Sequence, residues 1–445
     1  MSTNQEVQDV NLSAAEEEAA AKEEFATARV PWSRRRGPWG LLMVWMGYVF
    51  VVTTMQVGGT MAVGLTFTEF ISASLLAGVM LTVIAAFMAY ISCKEGLTFT
   101  LMCRYSFGRV GIWIPVFLII ITCVSWFSID AWLIGETVNT LFPSIPIVPV
   151  VIIAGLGIIA TGFVGIKAMS ILSDIAVPLI IIFGIVSIVF SFDSVGGVDA
   201  LMQVKPETGV AISFTTALAL GVGSFSHGAV ANTAEVMRYS KSPKQAILIM
   251  VVAMMIGNTF MLVFGGVGML ATGEYDMALI LKAQNLLAPA FLVVLLNIWS
   301  TAQGLVYTST NAIAGAFKVK RIYIAIGIAV VGLTMSLMHF IDYFGSWIDL
   351  NAKFIPPFAG IIIADYFFVY KRHFPDVKKF ERIMPRANWA GLITWGVGSV
   401  LAGFGVLEFG LPTINYIVVC VIVKIILSKF VFKQEEESIA KCEAQ

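Results

Sequence analysis

Apolar residues in this chain come in long runs separated by short polar clusters, a pattern no soluble fold needs. No Asp, Glu, Lys or Arg occurs in Gly37–Thr68, Phe70–Cys93, Ile175–Phe192, Gln245–Gly273, Ala283–Phe317, Ile322–Ile341 or Ala387–Leu407. Each stretch can supply the ~20 apolar residues that carry one helix across a bilayer, and the longest also hold a connecting turn. Backbone groups in lipid find no water to bond, so runs of this length are helices rather than open strands. Set against charge clusters and Pro/Gly breaks, the runs predict twelve spans, at about 39–65, 68–92, 111–138, 147–165, 171–191, 211–236, 244–271, 279–307, 321–340, 344–369, 388–407 and 411–431.

Loop charge then orients the bundle. Of 28 Lys and Arg, 25 fall on the side of the N-terminus; the opposite side has Lys205 and Lys282, and Lys353 lies within a span. By the positive-inside rule both termini are expected in the cytoplasm, and the membrane is expected to be the cytoplasmic (inner) one. The first 30 residues are polar and acidic (Glu16-Glu17-Glu18, Glu23-Glu24), so they read as a solvated tail rather than a cleavable signal.

Composition narrows the function. The chain is 58% hydrophobic and 13% charged, with mean hydropathy +0.88 and formal net charge +0, which excludes a nucleic-acid partner. Five cysteines (Cys93, Cys103, Cys123, Cys420, Cys442) show neither CxxC spacing nor a pairing pattern, so no disulfide framework or metal cluster is expected. His227, His339 and His373 are far apart, and there is no HExxH pair and no GxxxxGK[ST] loop. Neither an enzyme nor an ATP-driven pump fits. No selectivity-filter pattern supports a channel either, and a secondary carrier remains.

Two spans look interrupted. The first holds Gly47, Gly58 and Gly59 around Thr53-Thr54 and is expected to break at about Gly47–Val52; the sixth holds Gly221, Gly223, Ser224, Ser226, His227 and Gly228 and is expected to break at about Gly223–His227. They stand five spans apart, as equivalent helices of an inverted repeat do, and unwinding at such helices frees carbonyls for a cation and amides for a polar ligand. Close helix packing is the competing role for the glycines. The third span (Ser125-Trp126-Phe127-Ser128, Asp130) and the eighth (Asn297-Ile298-Trp299-Ser300-Thr301, Gln303) repeat the five-span separation with polar and aromatic groups. Asp349 and Lys353, four apart on one helix, are expected to neutralise each other near the outer vestibule. Asp130 could cap a pocket, meet an amine-bearing substrate or join that pair. His227 could accept a proton, which leaves proton coupling open.

Longer motifs carry a resemblance. Lys94-Glu95-Gly96-Leu97-Thr98 with Arg104-Tyr105-Ser106-Phe107-Gly108 resembles the signature after the second helix of nucleobase:cation symporters, most closely their cytosine permease branch. Gly223-Ser224-Phe225, Glu235 with Arg238-Tyr239, Asn297-Ile298-Trp299, and Pro356-Pro357 through Gly360 to Ala364-Asp365-Tyr366 continue the match in order from about Gly40 to Val431. The resemblance implies a leucine-transporter-type fold, a five-plus-five inverted repeat plus two peripheral helices. The chain then divides into a cytosolic disordered tail (1–38), a ten-helix transport core (39–370), a cytosolic loop (371–387), two peripheral transmembrane helices (388–432) and a second cytosolic tail (433–445).

The same resemblance implies uptake of a nucleobase-like heterocycle coupled to a cation, usually sodium, by alternating access. Trp126 and Phe225 would stack the flat ring, and Ser224, Ser226 and Asn297 would bond its edge. The sodium ion would sit between carbonyls of Gly47 and Phe50 and side chains of Asn297, Ser300 and Thr301. A cage of hard oxygens without a carboxylate suits a monovalent cation. No resident cofactor, nucleic acid or obligatory protein partner is implied, only the substrate, the cation and the bilayer. Three positions depart from the cytosine carriers: Cys123 stands where they have Gln, His227 where they have Ser, and Gln303 where their Thr-Thr-Asn-Asp-Asn run continues. These changes fall on the helices proposed to face substrate, so the expected ligand has an edge unlike cytosine's: a purine, a substituted pyrimidine or a smaller lactam-like ring.

Overall fold

The computed structural model describes residues 13–203, 205, 210–274, 276–317 and 319–433. Among them the secondary structure is helical throughout, apart from an isolated bridge between Arg36 and Ser240. Eight helices are long and apolar enough to cross a bilayer: Phe67–Glu95, Trp113–Leu141, Ile147–Val164, Ile166–Ser194, Pro243–Thr272, Leu287–Phe317, Phe340–Val369 and Pro412–Phe432. Pro38–Val49 and Val52–Gly64 form one more, bent by 52°, and the shorter apolar helices Phe214–Gly223, Arg321–Leu337 and Trp389–Gly403 complete the twelve. Lipid-facing stripes such as Leu75, Val79, Val83 and Phe87 on the second span stay exposed at a spacing of four, as a bilayer allows.

Local sequence sets the ends. Thr66 and Glu69 form a capping box at the start of the second span, and Gly96, in the left-handed region at φ 67°, closes it. Thr98 caps the helix Phe99–Gly111, and Ser242 with Pro243 opens the seventh span.

Packing shows the repeat directly. The first span packs on the seventh and the fifth; shifted by five, the sixth packs on the second and the tenth. Third-on-ninth is matched in the same way by eighth-on-fourth, and the eleventh and twelfth spans lie outside the pattern, against the tenth. Small residues permit the closest of these contacts. A Cβ on Gly58 would lie 2.0 Å from the Leu262 carbonyl oxygen, and one on Gly265 would lie 2.0 Å from that of Met55. Gly58 therefore serves packing of the first span on the seventh. A fully buried ion pair, Asp365 to Lys424 at 3.1 Å, ties the tenth span to the twelfth.

The tail expected to be disordered is folded from Ser13 onward; residues 1–12, and the C-terminal tail from 434, lie outside the described residues. Ser13 and Glu16 cap a helix over Ala14–Lys22, after which Phe25, Ala26 and Val30 are buried against the basic face of the bundle. Arg29 donates to the carbonyls of Glu95 (2.8 Å), Phe374 (2.7 Å) and Pro375 (3.0 Å) and pairs with the Glu95 carboxylate. Arg238, itself buried, donates to the carbonyls of Glu24 (2.7 Å) and Phe25 (3.0 Å), and Arg35 to those of Cys93 (2.8 Å) and Ser240 (3.0 Å). The segment is a strap across that face. Its order comes from charge-assisted bonds to carbonyls that the loops leave open.

Candidate functional site

The first span breaks at Phe50 (φ −75°, ψ 88°) and Val51 (φ −128°, ψ 132°), and helix resumes at Val52. The break falls within the stretch Gly47–Val52 where it was expected, although Gly47, Gly58 and Gly59 are themselves helical. A Cβ on Gly47 would stand 2.3 Å from Ser173 Oγ, so this glycine admits the fifth span. A helix that stops leaves its last carbonyls without intrahelical donors. Here the eighth span supplies hydroxyls. Ser300 Oγ donates to Gly47 O at 2.8 Å, and Thr301 Oγ1 lies 3.0 Å from Phe50 O and 3.4 Å from Gly47 O and Tyr48 O.

Asn297 joins this oxygen cluster through its backbone, at 2.9 Å from Ser300 Oγ and 3.4 Å from Thr301 Oγ1. Its side-chain amide is buried with no partner among the described residues. Four of the five residues assigned to a cation, Gly47, Phe50, Ser300 and Thr301, therefore converge as assigned, and Asn297 converges by its carbonyl.

The sixth span is also interrupted. Phe225 N bonds to Val222 O (3.3 Å) instead of a carbonyl four back, and a π turn runs over Gly228–Asn232. Ser224 keeps helical angles and its bond to Leu220 O at 2.9 Å, so the interruption expected across Gly223–His227 is confined to a turn at Ser224–Phe225. Gly223 instead seats the tenth span, because a Cβ there would lie 3.0 Å from Ala352 Cβ.

Between the first, third, sixth and eighth spans lies a cavity lined by Val51, Thr53, Trp126, Asp130, Ser224, Phe225, His227, Thr301 and Leu305. It measures ≈ 10 Å³, about the room one water needs. The His227 imidazole stacks on Trp126 with centroids 5.7 Å apart and planes at 23°, and meets Phe225 at 5.4 Å. It thus fills the slot that a stacked base was expected to take between those two aromatics. Tyr48 and Trp45 brace Phe225 from behind at 6.0 and 6.1 Å.

Of the residues assigned to substrate, the structure brings Trp126, Ser224, Phe225 and His227 together. Ser226 turns away, donating to Asn351 O on the tenth span at 3.2 Å. Cys123, Asn297 and Gln303 are buried but do not line this cavity. Trp299, in the shared Asn-Ile-Trp motif, donates to Thr161 at 3.0 Å and serves contact with the fourth span. Asp349 and Lys353 pair at 2.7 Å as expected. Val51, Thr53 and Leu305 were missed by sequence reasoning. Val51 lies in the break and Thr53 just beyond it, so the expected interruption at Gly47–Val52 was the signal that could have found them. Among the described residues no cluster of three His, Cys, Asp or Glu side chains could hold a metal.

Residues 29–419 match the model of a family described as permeases for cytosine/purines, uracil, thiamine and allantoin. The chain belongs to this permease family. The permease is 34% identical over 361 residues to the cytosine permease of Escherichia coli (strain K12), covering 80% of this chain and 84% of that one. It is 26% identical over 368 residues to the hydantoin permease of Microbacterium maritypicum, covering 74% and 73%. Among solved structures it superposes on Mhp1, a nucleobase-cation-symport-1 family transporter closed on bromovinylhydantoin, with TM-score 0.81 at 20% identity over 94% of this chain and 99% of that one. Against a sodium-coupled sialic acid symporter the TM-score is 0.60 at 13% identity, covering 92% of each chain. The permease is therefore a multi-pass membrane transporter, not an enzyme, and has the leucine-transporter-type fold of twelve helices.

Proposed function

We propose that this permease imports a nucleobase or related nitrogen heterocycle across the cytoplasmic membrane, coupled to sodium, with both termini in the cytoplasm. One observation carries the coupling: Thr301 lines the aromatic cavity and also touches the carbonyls of Gly47, Tyr48 and Phe50. A cation held by those oxygens would fix the broken segment of the first span, and Val51 and Thr53 of that segment form the cavity wall. The donor set fits: neutral carbonyl and hydroxyl oxygens suit a monovalent hard cation. Trp126 and Phe225 offer the ring faces that a planar base gains from, at ~1–3 kcal/mol per stacked base. Because His227 now fills the slot between them, binding requires its imidazole to swing aside. Inward orientation of the termini follows from the excess of Lys and Arg on that face.

The test is a thermal-shift panel of purines, pyrimidines and related rings on the purified protein, in sodium and in choline at equal ionic strength. A ligand that binds the folded state raises its apparent stability. The reading requires at least one ring to stabilise the protein more in sodium. Stabilisation indifferent to sodium, with uptake driven by a pH gradient alone, moves the coupling role to His227. Non-saturable flux would mean a channel.

A further inference from the structure

Asp130 is the buried group that the reading above leaves unused. It lies one turn beyond Trp126 on the third span, is 1% exposed, and lines the cavity. Neither of its carboxyl oxygens has a hydrogen-bond partner among the described residues. Lys353, the basic residue of the tenth span, is committed to Asp349 at 2.7 Å. The other polar atoms around the cavity are already used or are single donors. Ser224 Oγ donates to Gly221 O at 2.8 Å and Thr301 Oγ1 belongs to the oxygen cluster, whereas Trp126 Nε1 and His227 Nδ1 are buried and also unpartnered.

A carboxylate shut away from water without donors is costly, and an ionisable side chain kept at membrane depth marks a substrate or ion path. The missing donors must then arrive with the ligand. A carboxylate's two oxygens accept two parallel N–H bonds, the fork geometry that makes such pairs strong. A ring offers that fork when a ring N–H stands beside an exocyclic amino group, as in cyclic amidines and guanidines. An imide edge, with its N–H flanked by carbonyls, turns an acceptor oxygen toward the acceptor carboxylate.

We propose that Asp130 sets the substrate class of this permease: flat heterocycles with an amidine- or guanidine-type edge, neutral or protonated, held in preference to imides. This rests on the heterocycle-carrier reading above and sharpens it. Trp126, four residues away on the same helix face, supplies the ring face while Asp130 takes the edge.

The test compares two probe pairs on the full chain in detergent: 2-aminoimidazole and isocytosine, which carry adjacent N–H donors, against the imides uracil and hydantoin. The expected result is binding of the first pair at least about tenfold tighter. Asp130→Asn should erase that ratio, chiefly by losing the first pair, without lowering the melting temperature, because it removes an unpaired buried charge. Asp130→Glu should keep the ranking. Imides binding as tightly as the amino rings, or a ratio untouched by Asp130→Asn, overturns the assignment while leaving the heterocycle reading intact. Failure of all four rings, and of the wider panel, to bind the wild-type protein overturns both. The wild-type ranking decides the matter even if the variant does not fold.

Discussion

Replacing Thr301 by Val separates the cation from the fold. Val keeps the branched shape of the side chain and deletes only the hydroxyl, so little packing volume changes. In the absence of sodium the loss is one neutral hydrogen bond, best represented by the 3.0 Å contact to Phe50 O. Such a bond contributes about 0.5–1.5 kcal/mol net, which sets the drop in sodium-free stability. In the presence of sodium the loss is larger. A methyl group then faces an ion, and an oxygen interacting with a charge is worth about 1.5–3 kcal/mol. That difference, about 1–1.5 kcal/mol, corresponds to a half-saturating sodium concentration raised roughly fivefold to tenfold. Melting temperature measured across a sodium titration, at ionic strength held constant with choline chloride, reports both quantities in one experiment. Ser300→Ala, whose hydroxyl lies 2.8 Å from Gly47 O, should act in the same direction. A sodium midpoint unchanged within about threefold, beside the expected fall in sodium-free stability, would refute this cluster as the cation site.

Three further changes probe the cavity and its frame. Trp126→Ala should abolish saturable uptake while the protein stays folded in the membrane, since one stacking face worth ~1–3 kcal/mol is gone; retained affinity in a binding titration would remove stacking from this helix. His227→Ser should tighten isocytosine binding by about tenfold, because two ring contacts of ~0.5–1.5 kcal/mol each no longer have to be broken. Isothermal titration would show it, and unchanged or weaker binding would mean the imidazole is a ligand rather than an occupant. Lys424→Met should cost about 3–5 kcal/mol by breaking the buried ion pair with Asp365, with Asp365→Leu/Lys424→Met recovering most of it, as read from detergent melting curves.

The spans were legible because the bilayer imposes a length on apolar runs and expels charge to the loops. Even the short sixth, ninth and eleventh helices announced themselves by charge-free flanks. Fine structure inside the spans was less legible. Glycine marks two different things in a membrane helix, freedom to unwind and room for a neighbour, and sequence alone does not separate them. Gly58 and Gly223 prove to be the second kind, and the break falls on Phe50 and Val51, two residues with no intrinsic tendency to unwind. The contact of Ser300 and Thr301 with the carbonyls of Gly47 and Phe50 was legible because two hydroxyl residues follow the shared Asn-Ile-Trp motif. Ser226 was misdirected because the interrupted turn at Phe225 rotates it onto Asn351. The strap was illegible for another reason. Its apolar residues Phe25 and Val30 follow no period, and what holds them are distant partners, the Arg238 guanidinium on Phe25 O and the Gly96 carbonyl on Val30 N.

That distance governs how the protein is made. Arg29 and its acceptor Phe374 O are separated by 345 residues, so the strap is synthesised long before the loop that seats it. Until the loop after the tenth span leaves the ribosome, this segment has no complete set of acceptors. Docking is therefore a terminal event in assembly. It can close only when the second, sixth and tenth helices already stand in their final arrangement, because it draws carbonyls from the ends of all three. An amino-terminal segment that protects itself from protease only in finished molecules would serve as a built-in report of correct assembly.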